Sequence, residues 1–479
     1  MQMLSSRTTI LNNMPLFTTT VAAISTPPGK GGVAVIRISG PDARSVCERV
    51  FCPMGSTFPQ DAPRMAVYGK IMSSGKVIDD GIAVFFPRNN SYTGEDTVEL
   101  SCHGGILISR AVLEACFIAG ATPAGAGEFT KRAFVNGRIT LSDADAIGLM
   151  LDAESDGQLK LAGSAARDKL NRKIEDIRVA ITNMLSSIFA RIDYPDEDLG
   201  ELSDKDTLNA LYRVRDSLGN LISTYKTGRA IREGISTSIV GSPNAGKSTL
   251  YNLLGGDDAA IVTDIPGTTR DVLERSISLG DVMLRIADTA GIRSTTDDPI
   301  ECIGIERSRQ RMAQSELVLA LFDASRPFTH EDLDLISIIN KTTAVKIAVL
   351  TKSDLADEKV IKENEATLQR DFKHIITVSA IERDEEAIKI LSNKVSELFT
   401  DGTISLGDDA VVSSARQHAS LVSALGFITS AIGAYEAGLP QDISSSDIEL
   451  ALGAISEIDG RAVSEAVVAD IFSKFCVGK

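Results

Sequence analysis

The stretch Gly241 to Thr249, GSPNAGKST, constrains this chain more than any other. It fits the phosphate-loop pattern, a glycine and four residues followed by Gly246-Lys247-Ser248. The run Ile235 to Val240 leads in as a buried strand, and Leu250 to Leu254 continues as a helix. Strand, loop and helix are the context that the motif needs. Backbone N–H groups of the loop and the helix N-terminus cradle phosphates, Lys247 supplies a point charge, and the Ser248 hydroxyl can ligate Mg²⁺. The motif stands at the middle of 479 residues, so the nucleotide-binding part is expected to be inserted into something larger.

A chain of this length is too long for one core, and the pattern along it changes character. From about residue 18 to 135, short β-rich pieces lie between Gly/Pro turns, including Val21 to Ile24, Val33 to Ile38, and Gly81 to Phe86 closed by Pro87. This zone reads as an α+β domain whose clearest helix runs from Ile106 to Ala119. From Leu141 to about Tyr225, apolar residues recur three and four apart with almost no Gly or Pro, the mark of long helices. Pro195 breaks that pattern once. From Ile235 to about Thr400, strands at Val282 to Ala287, Leu317 to Phe322, Lys346 to Leu350 and Ile375 to Val378 alternate with amphipathic helices. Such alternation indicates a doubly wound α/β domain. After Asp401-Gly402, helices return from about Ser413 to Phe475.

The fold class that follows is multidomain α/β plus α. The expected domains are an extension over 1–18, an N-terminal α+β domain over 19–138, an all-α domain in two parts, 139–232 and 401–479, and an inserted nucleotide-binding domain over 233–400. The extension is read as disordered, with a start at Met14 as the other reading. No secretory signal or long uninterrupted apolar run stands out, which favours a bacterial cytoplasm over a mitochondrial matrix. The 6 cysteines form no CxxC pair and there are only 4 histidines, so a zinc site is not expected and reduced thiols are. A net charge of −16 argues against broad nonspecific nucleic-acid binding while leaving room for a local basic patch.

Elements beyond the phosphate loop decide the nucleotide. Asp288-Thr289-Ala290-Gly291 follows a strand and resembles the switch II motif of GTPases, whose Asp reaches Mg²⁺ through water and whose Gly amide senses a γ-phosphate. Thr351-Lys352-Ser353-Asp354 matches [NT]KxD, in which the carboxylate reads the N1–H and 2-amino group of guanine. Adenine lacks that amine, so a site built around the Asp disfavours ATP. Ser379-Ala380 resembles the second guanine-contacting loop. The GTP-contacting set is therefore Asn244 to Thr249 (Asn244, Ala245, Gly246, Lys247, Ser248, Thr249), Thr263, Thr268, Thr269, Asp288 to Gly291, Thr351, Lys352, Asp354, Ser379 and Ala380. Ras-like GTPases place a Gln after the switch II glycine to orient the attacking water. Here that position is Ile292, which cannot do so. Glu301, in PIECIGIER, could take that task or could be a solvated carboxylate. Arg270 and Arg293 flank the switches, but both can equally make surface ion pairs. A monovalent cation could substitute for an arginine finger, with oxygen ligands from Asn244 and the run Thr263 to Thr269.

GSPNAGKST, IVTDIPGTTRD, DTAG, ECIGIERSR and the terminal FCVGK together resemble the MnmE/TrmE family of tRNA-modification GTPases. So do the N-terminal signatures TPPGKGGVAVIRISG, SYTGEDTVELSCHGG and AGEFTKRAFVNGRITL, and the likeness spans nearly the whole chain. The resemblance implies a folate-binding, dimerising N-terminal domain, a central helical domain and an inserted Ras-like G domain. It implies a homodimer with K⁺-dependent GTP hydrolysis. With an FAD-dependent partner, MnmG/GidA, in a heterotetramer, it implies installation of an aminomethyl or carboxymethylaminomethyl group at C5 of the wobble uridine of tRNA.

Carried over by position, the resemblance assigns K⁺ to Asn244, Thr263, Ile265 and Thr268, and Mg²⁺ to Ser248 and Thr269. It assigns the water-orienting acid to Glu301 and contacts to a formyl- or methylene-tetrahydrofolate to Arg37, Glu99, Arg138 and Lys479. Cys476 is either a buried thiol or a chemically active residue beside the folate. Thr351 stands where many members carry Asn, Lys30 where they carry Arg, and Val477 where they carry Ile. A switch GTPase of ribosome assembly, or another RNA-associated one, is the alternative reading of the G domain, but it has no use for the N-terminal signatures or FCVGK.

Overall fold

In the computed structural model, residues 17–166, 169–193, 204–255, 274–287, 312–379, 385–402 and 404–478 are described. The chain divides into two units. One comprises Met1–Gly148, Ile174–Val214 and Ser423–Lys479, and the other Leu149–Lys173 and Arg215–Val422.

The first unit is built on a seven-stranded sheet. Its strands are β1 (Val21–Ile24), β2 (Val33–Ser39), β3 (Phe51–Pro53), β4 (Val67–Ser73), β5 (Lys76–Phe86), β6 (Thr97–His103) and β7 (Thr122–Pro123), in the spatial order β3-β4-β5-β6-β2-β1-β7. Neighbours are antiparallel except β1 and β7. Alternation along β2 shows why the sheet has two unlike faces. Ala34, Ile36 and Ile38 share a core with residues of the helices Ala43–Val50 and Ile106–Ile118, the latter close to the predicted helix. Arg37 points to the opposite face, and the β2–β6 register sets it directly across from Glu99.

On that opposite face the helix Glu128–Val135 supplies Phe129, buried with Val21, Ala23 and Ala124. It also supplies Arg132, whose side chain is 0% exposed. Such a cation is tolerated only when its donors are matched. Arg132 donates to Glu128 and Glu95 carboxylate oxygens at 3.0 and 2.9 Å and to the Thr19 carbonyl at 2.8 Å, and its guanidinium lies 4.5 Å from the Phe17 ring centroid. Glu95 in turn accepts from Ser39, so the arginine joins the helix, the Glu95 loop and β2.

Helices complete this unit. Phe134, Leu141 and Ala144 pack with Val463, Val468 and Phe472, which places the C-terminal helix Glu465–Ser473 against the start of Leu141–Leu151. Arg178 and Asp459 form a buried pair at 2.6 Å between helix Lys169–Asp193 and the end of Gln441–Ile458. Helix Ala415–Glu436 is long and apolar enough to cross a membrane by length and composition, yet its Ala424, Ile428 and Ala431 are fully buried.

The second unit carries a six-stranded sheet in the order β13-β12-β11-β8-β10-β9. Here β8 is Ile235–Gly241, β9 Glu274–Leu279, β10 Val282–Ala287, β11 Leu317–Asp323, β12 Val345–Thr351 and β13 His374–Thr377. All pairings are parallel except that of β9 with β10. Strands covered on both faces read as continuous apolar runs, and β11 shows this directly. Leu317, Leu319 and Leu321 enter one core cluster while Val318, Ala320 and Phe322 enter another. Each predicted strand of this zone is present within a residue or two at its ends. The antiparallel edge β9 is the departure from a simple alternation. Its sequence, ERSISL, is too polar to announce a strand, and Gly280-Asp281 turns it tightly onto β10 with Gly280 at φ 65°.

Arg132→Met should leave Glu95 and Glu128 without their cation and destabilise the first unit by about 3–5 kcal/mol. Denaturant unfolding of the full chain, followed by a probe in the N-terminal sheet, should show the earlier transition. An unchanged midpoint would mean that the buried arginine is not what holds these carboxylates.

Candidate functional site

In the sheet of the second unit, β8 lies where connections diverge to either side, β10 on one hand and β11 on the other. Ligands of open α/β sheets bind outside strand C-termini at such a point. The pairing Gly241 with Leu321, and Asp323 with Thr351, sets the ends of β8, β11 and β12 side by side. Gly241 is required by that packing, because a Cβ there would meet the Leu321 carbonyl at 2.7 Å.

The phosphate loop runs from β8 into helix Lys247–Gly255. Asn244 and Gly246 take positive φ, 61° and 86°, so the loop folds around a concave backbone. Lys247 Nζ donates to the Gly241 and Ser242 carbonyls at 2.7 and 2.8 Å. Burial lowers its pKa below that of a free lysine. Ser248 and Thr249 are exposed in the first helical turn, where N–H groups lack intrahelical partners, while Ala245 is buried.

The Thr351–Asp354 motif stands beside it. Lys352 is left-handed at φ 57° and donates to Asp323 at 2.6 Å. Burial would raise the Asp323 carboxyl, but Lys352 and the Ser325 hydroxyl and amide outweigh it and hold the pKa below the usual carboxylate value. Asp354 is exposed and accepts the Ser379 hydroxyl at 3.0 Å, which joins the two loops expected to frame the base. Thr263, Ile265, Thr268, Thr269, Asp288, Thr289, Ala290, Gly291, Ile292, Glu301, Ala380 and Lys479 lie outside the described residues.

Asp323 and Asp332 were not singled out by motif. Asp332, buried in the first turn of helix His330–Ile339, accepts Ser242 Oγ at 2.6 Å. Its signal in the sequence is Thr329-x-x-Asp332, a capping-box spacing with Asp in place of Glu.

A second cluster lies in the first unit. Arg37 Nε donates to Glu99 Oε1 at 2.9 Å, and its guanidinium sits 5.9 and 5.5 Å from the Tyr92 and Phe129 ring centroids. Tyr92 donates to Thr130 at 3.1 Å and keeps an exposed ring. Arg138 is exposed and its stem packs over Gly94, in the same loop as Tyr92. The chain's C-terminal segment packs where helix Glu128–Val135 begins and β1 ends. Ala126 and Val477 form an antiparallel bridge, Gly127 N donates to the Cys476 carbonyl at 3.3 Å, and any side chain at Gly478 (φ 100°) would collide with the Ile24 carbonyl of β1. Cys476 is exposed, so the buried-thiol reading does not hold for it. Cys47 and Cys116 are buried thiols, each pushed up to about 12 chiefly by burial.

A family model described as the GTP-binding protein TrmE N-terminus matches residues 20–138, and one described as the MnmE helical domain matches 141–476. The chain is 38% identical over 462 residues to the tRNA modification GTPase MnmE of Acetivibrio thermocellus, covering 96% of this chain and 99% of that protein. It is 39% identical over 463 residues to the protein of the same name from Carboxydothermus hydrogenoformans, with 96% and 99% covered. Among solved structures, the G domain of the T. maritima FeoB iron transporter is matched over 34% of this chain and 97% of that one, at 22% identity and a TM-score of 0.26.

Thr351 makes the link between loop and base motif. Its buried hydroxyl lies 2.9 Å from the Ala245 carbonyl and 3.1 Å from that of Phe322. Thr351→Val keeps the shape and removes the donor, at a cost of about 1–2 kcal/mol. Guanine-nucleotide affinity should fall severalfold, measured by fluorescent GDP titration, with helix content unchanged. Wild-type affinity would show that the hydroxyl does not hold the loop.

Proposed function

The chain belongs to the MnmE family of tRNA modification GTPases and is a GTP hydrolase acting in tRNA modification; we propose that, with an FAD-dependent partner of the MnmG/GidA type, it adds an aminomethyl or carboxymethylaminomethyl group to C5 of the wobble uridine. The one-carbon unit would come from a tetrahydrofolate bound in the first unit. The observation that supports this best is the Arg37–Glu99 pair, in the unit where the C-terminal segment with Cys476 and Gly478 is anchored beside Ala126 and β1. A carboxylate suits the donor edge of a pterin, and cations suit a glutamate tail. Arg37 and Glu99 fit that task because their mutual hydrogen bonds already orient both groups, while Arg138 stays exposed and available.

For hydrolysis, we assign Lys247 to the phosphates and Asp354, oriented by Ser379, to the N1–H and 2-amino group of guanine. The exposed Ser248 hydroxyl fits a Mg²⁺ ligand, with Thr269, and the left-handed, exposed Asn244 fits a K⁺ ligand, with Thr263, Ile265 and Thr268. Both cations would neutralise charge developing on the phosphates. Glu301 would orient the water that Ile292 cannot. A bacterial cytosol and a homodimer complete the reading.

Wobble-uridine nucleosides from a strain lacking this gene should lose the C5 aminomethyl-type group by mass spectrometry, and an unaltered nucleoside profile would overturn the reading. In purified protein, GTP turnover should be faster in K⁺ than in Na⁺. Glu301→Ala should slow it by about 100-fold with GTP affinity retained, whereas undiminished turnover would reassign the acid.

A further inference from the structure

We infer that Asp332 is a positioning residue for the GTPase reaction, gripping the phosphate loop through the Ser242 hydroxyl. Every acceptor of this carboxylate is in use. Oδ1 takes Ser242 Oγ at 2.6 Å, and Oδ2 takes Arg326 Nη1 at 2.7 Å, Thr329 N at 2.9 Å and Thr329 Oγ1 at 2.8 Å. Asp332 is 1% exposed. Burial alone would raise its pKa, but the Arg326 guanidinium and the Ser242 and Thr329 donors prevail and bring it to about 2, so it is charged at any working pH. A buried, fully bonded carboxylate at the root of a helix has a fixed place.

What it fixes is the loop residue at which two other bonds converge. The Ser242 carbonyl accepts both Lys247 Nζ at 2.8 Å and Ala245 N at 3.2 Å. Ser242 is therefore held at its side chain by helix His330–Ile339 and at its backbone by the loop itself. Asn244, two residues on, takes a left-handed conformation that asparagine tolerates better than other non-glycine residues. The phosphate-loop pattern leaves position 242 open to any residue, so the serine is not demanded by phosphate contact. Arg326 ties the same carboxylate to the segment following β11, whose Asp323 holds Lys352. One buried charge thus links the phosphate loop to the strand end that braces the guanine motif.

A simple helix cap would also bond Thr329 and Arg326, so the test must separate the two roles. Fluorescent GDP affinity, GTP kinetics and thermal midpoint are measured for Ser242→Ala, Ser242→Thr, Asp332→Asn and the double variant Ser242→Ala/Asp332→Asn. Ser242→Ala should weaken GDP about fivefold to tenfold, the scale of one ordinary hydrogen bond, and raise KM more than it lowers kcat. Ser242→Thr should restore affinity. The double variant should bind GDP no worse than the weaker single variant, because both changes break one link. Wild-type affinity in Ser242→Ala, or losses that add in the double variant, would overturn the proposal and leave Asp332 a cap. Should Asp332→Asn fail to fold, Ser242→Ala against Ser242→Thr decides alone.

Discussion

The parallel pairing of β8 with β11 and of β11 with β12 sets where the phosphate loop and the Thr351–Asp354 motif stand. These strands are covered on both faces, and β11 and β12 divide their side chains between two apolar clusters. On β11 a polar residue is admitted only past the last apolar pair. Asp323 is the point of change on β11, and Thr351 is its register partner on β12. Lys352 then reaches back to Asp323, and Thr351 reaches across to the Ala245 carbonyl of the phosphate loop. These contacts therefore follow from where β8, β11 and β12 end.

That logic also explains what the sequence made legible. The phosphate loop, TKSD and Ser379 each follow an apolar run directly, so their place at strand ends is encoded within a few residues. The grip of Asp332 on Ser242 is encoded nowhere locally, because 90 positions separate them. Only the Thr329-x-x-Asp332 spacing hints at it, and that hint speaks of a helix start. The role of Thr351 was hidden for a different reason. Against the Asn common in the family, it reads as a loss for guanine, whereas in the fold its hydroxyl spans two carbonyls that lie on different elements. The edge strand β9 escaped because a half-exposed strand need not be apolar.

In the first unit the equivalent constraint is the two-faced sheet. One face is apolar and packs against helices, which frees the other for Arg37 and Glu99. Resemblance singled out both residues, but only the register of β2 against β6 makes them a pair, across 62 positions of sequence. Arg132 does comparable work without touching that pair. It draws Glu95 and Glu128 onto one guanidinium, and Glu95 takes the Ser39 hydroxyl from the end of the same β2. Phe129, one helical turn from Arg132, lies under Arg37. The buried cation therefore fixes the helix that floors the cluster.

Thiol placement follows from the same division of faces. Cys47, Cys102 and Cys116 belong to the apolar face, where burial is the main reason that the first and last rise to about 12 and Cys102 to about 11. Protonated thiols under a sheet cannot act as nucleophiles near neutral pH. Cys476 is on the other side of that argument. Its carbonyl is held by Gly127 N, and its neighbours Val477 and Gly478 are fitted against Ala126 and β1, yet the residue itself is exposed. The backbone at Cys476 is thus anchored while the residue stays exposed, the reverse of the thiols under the sheet.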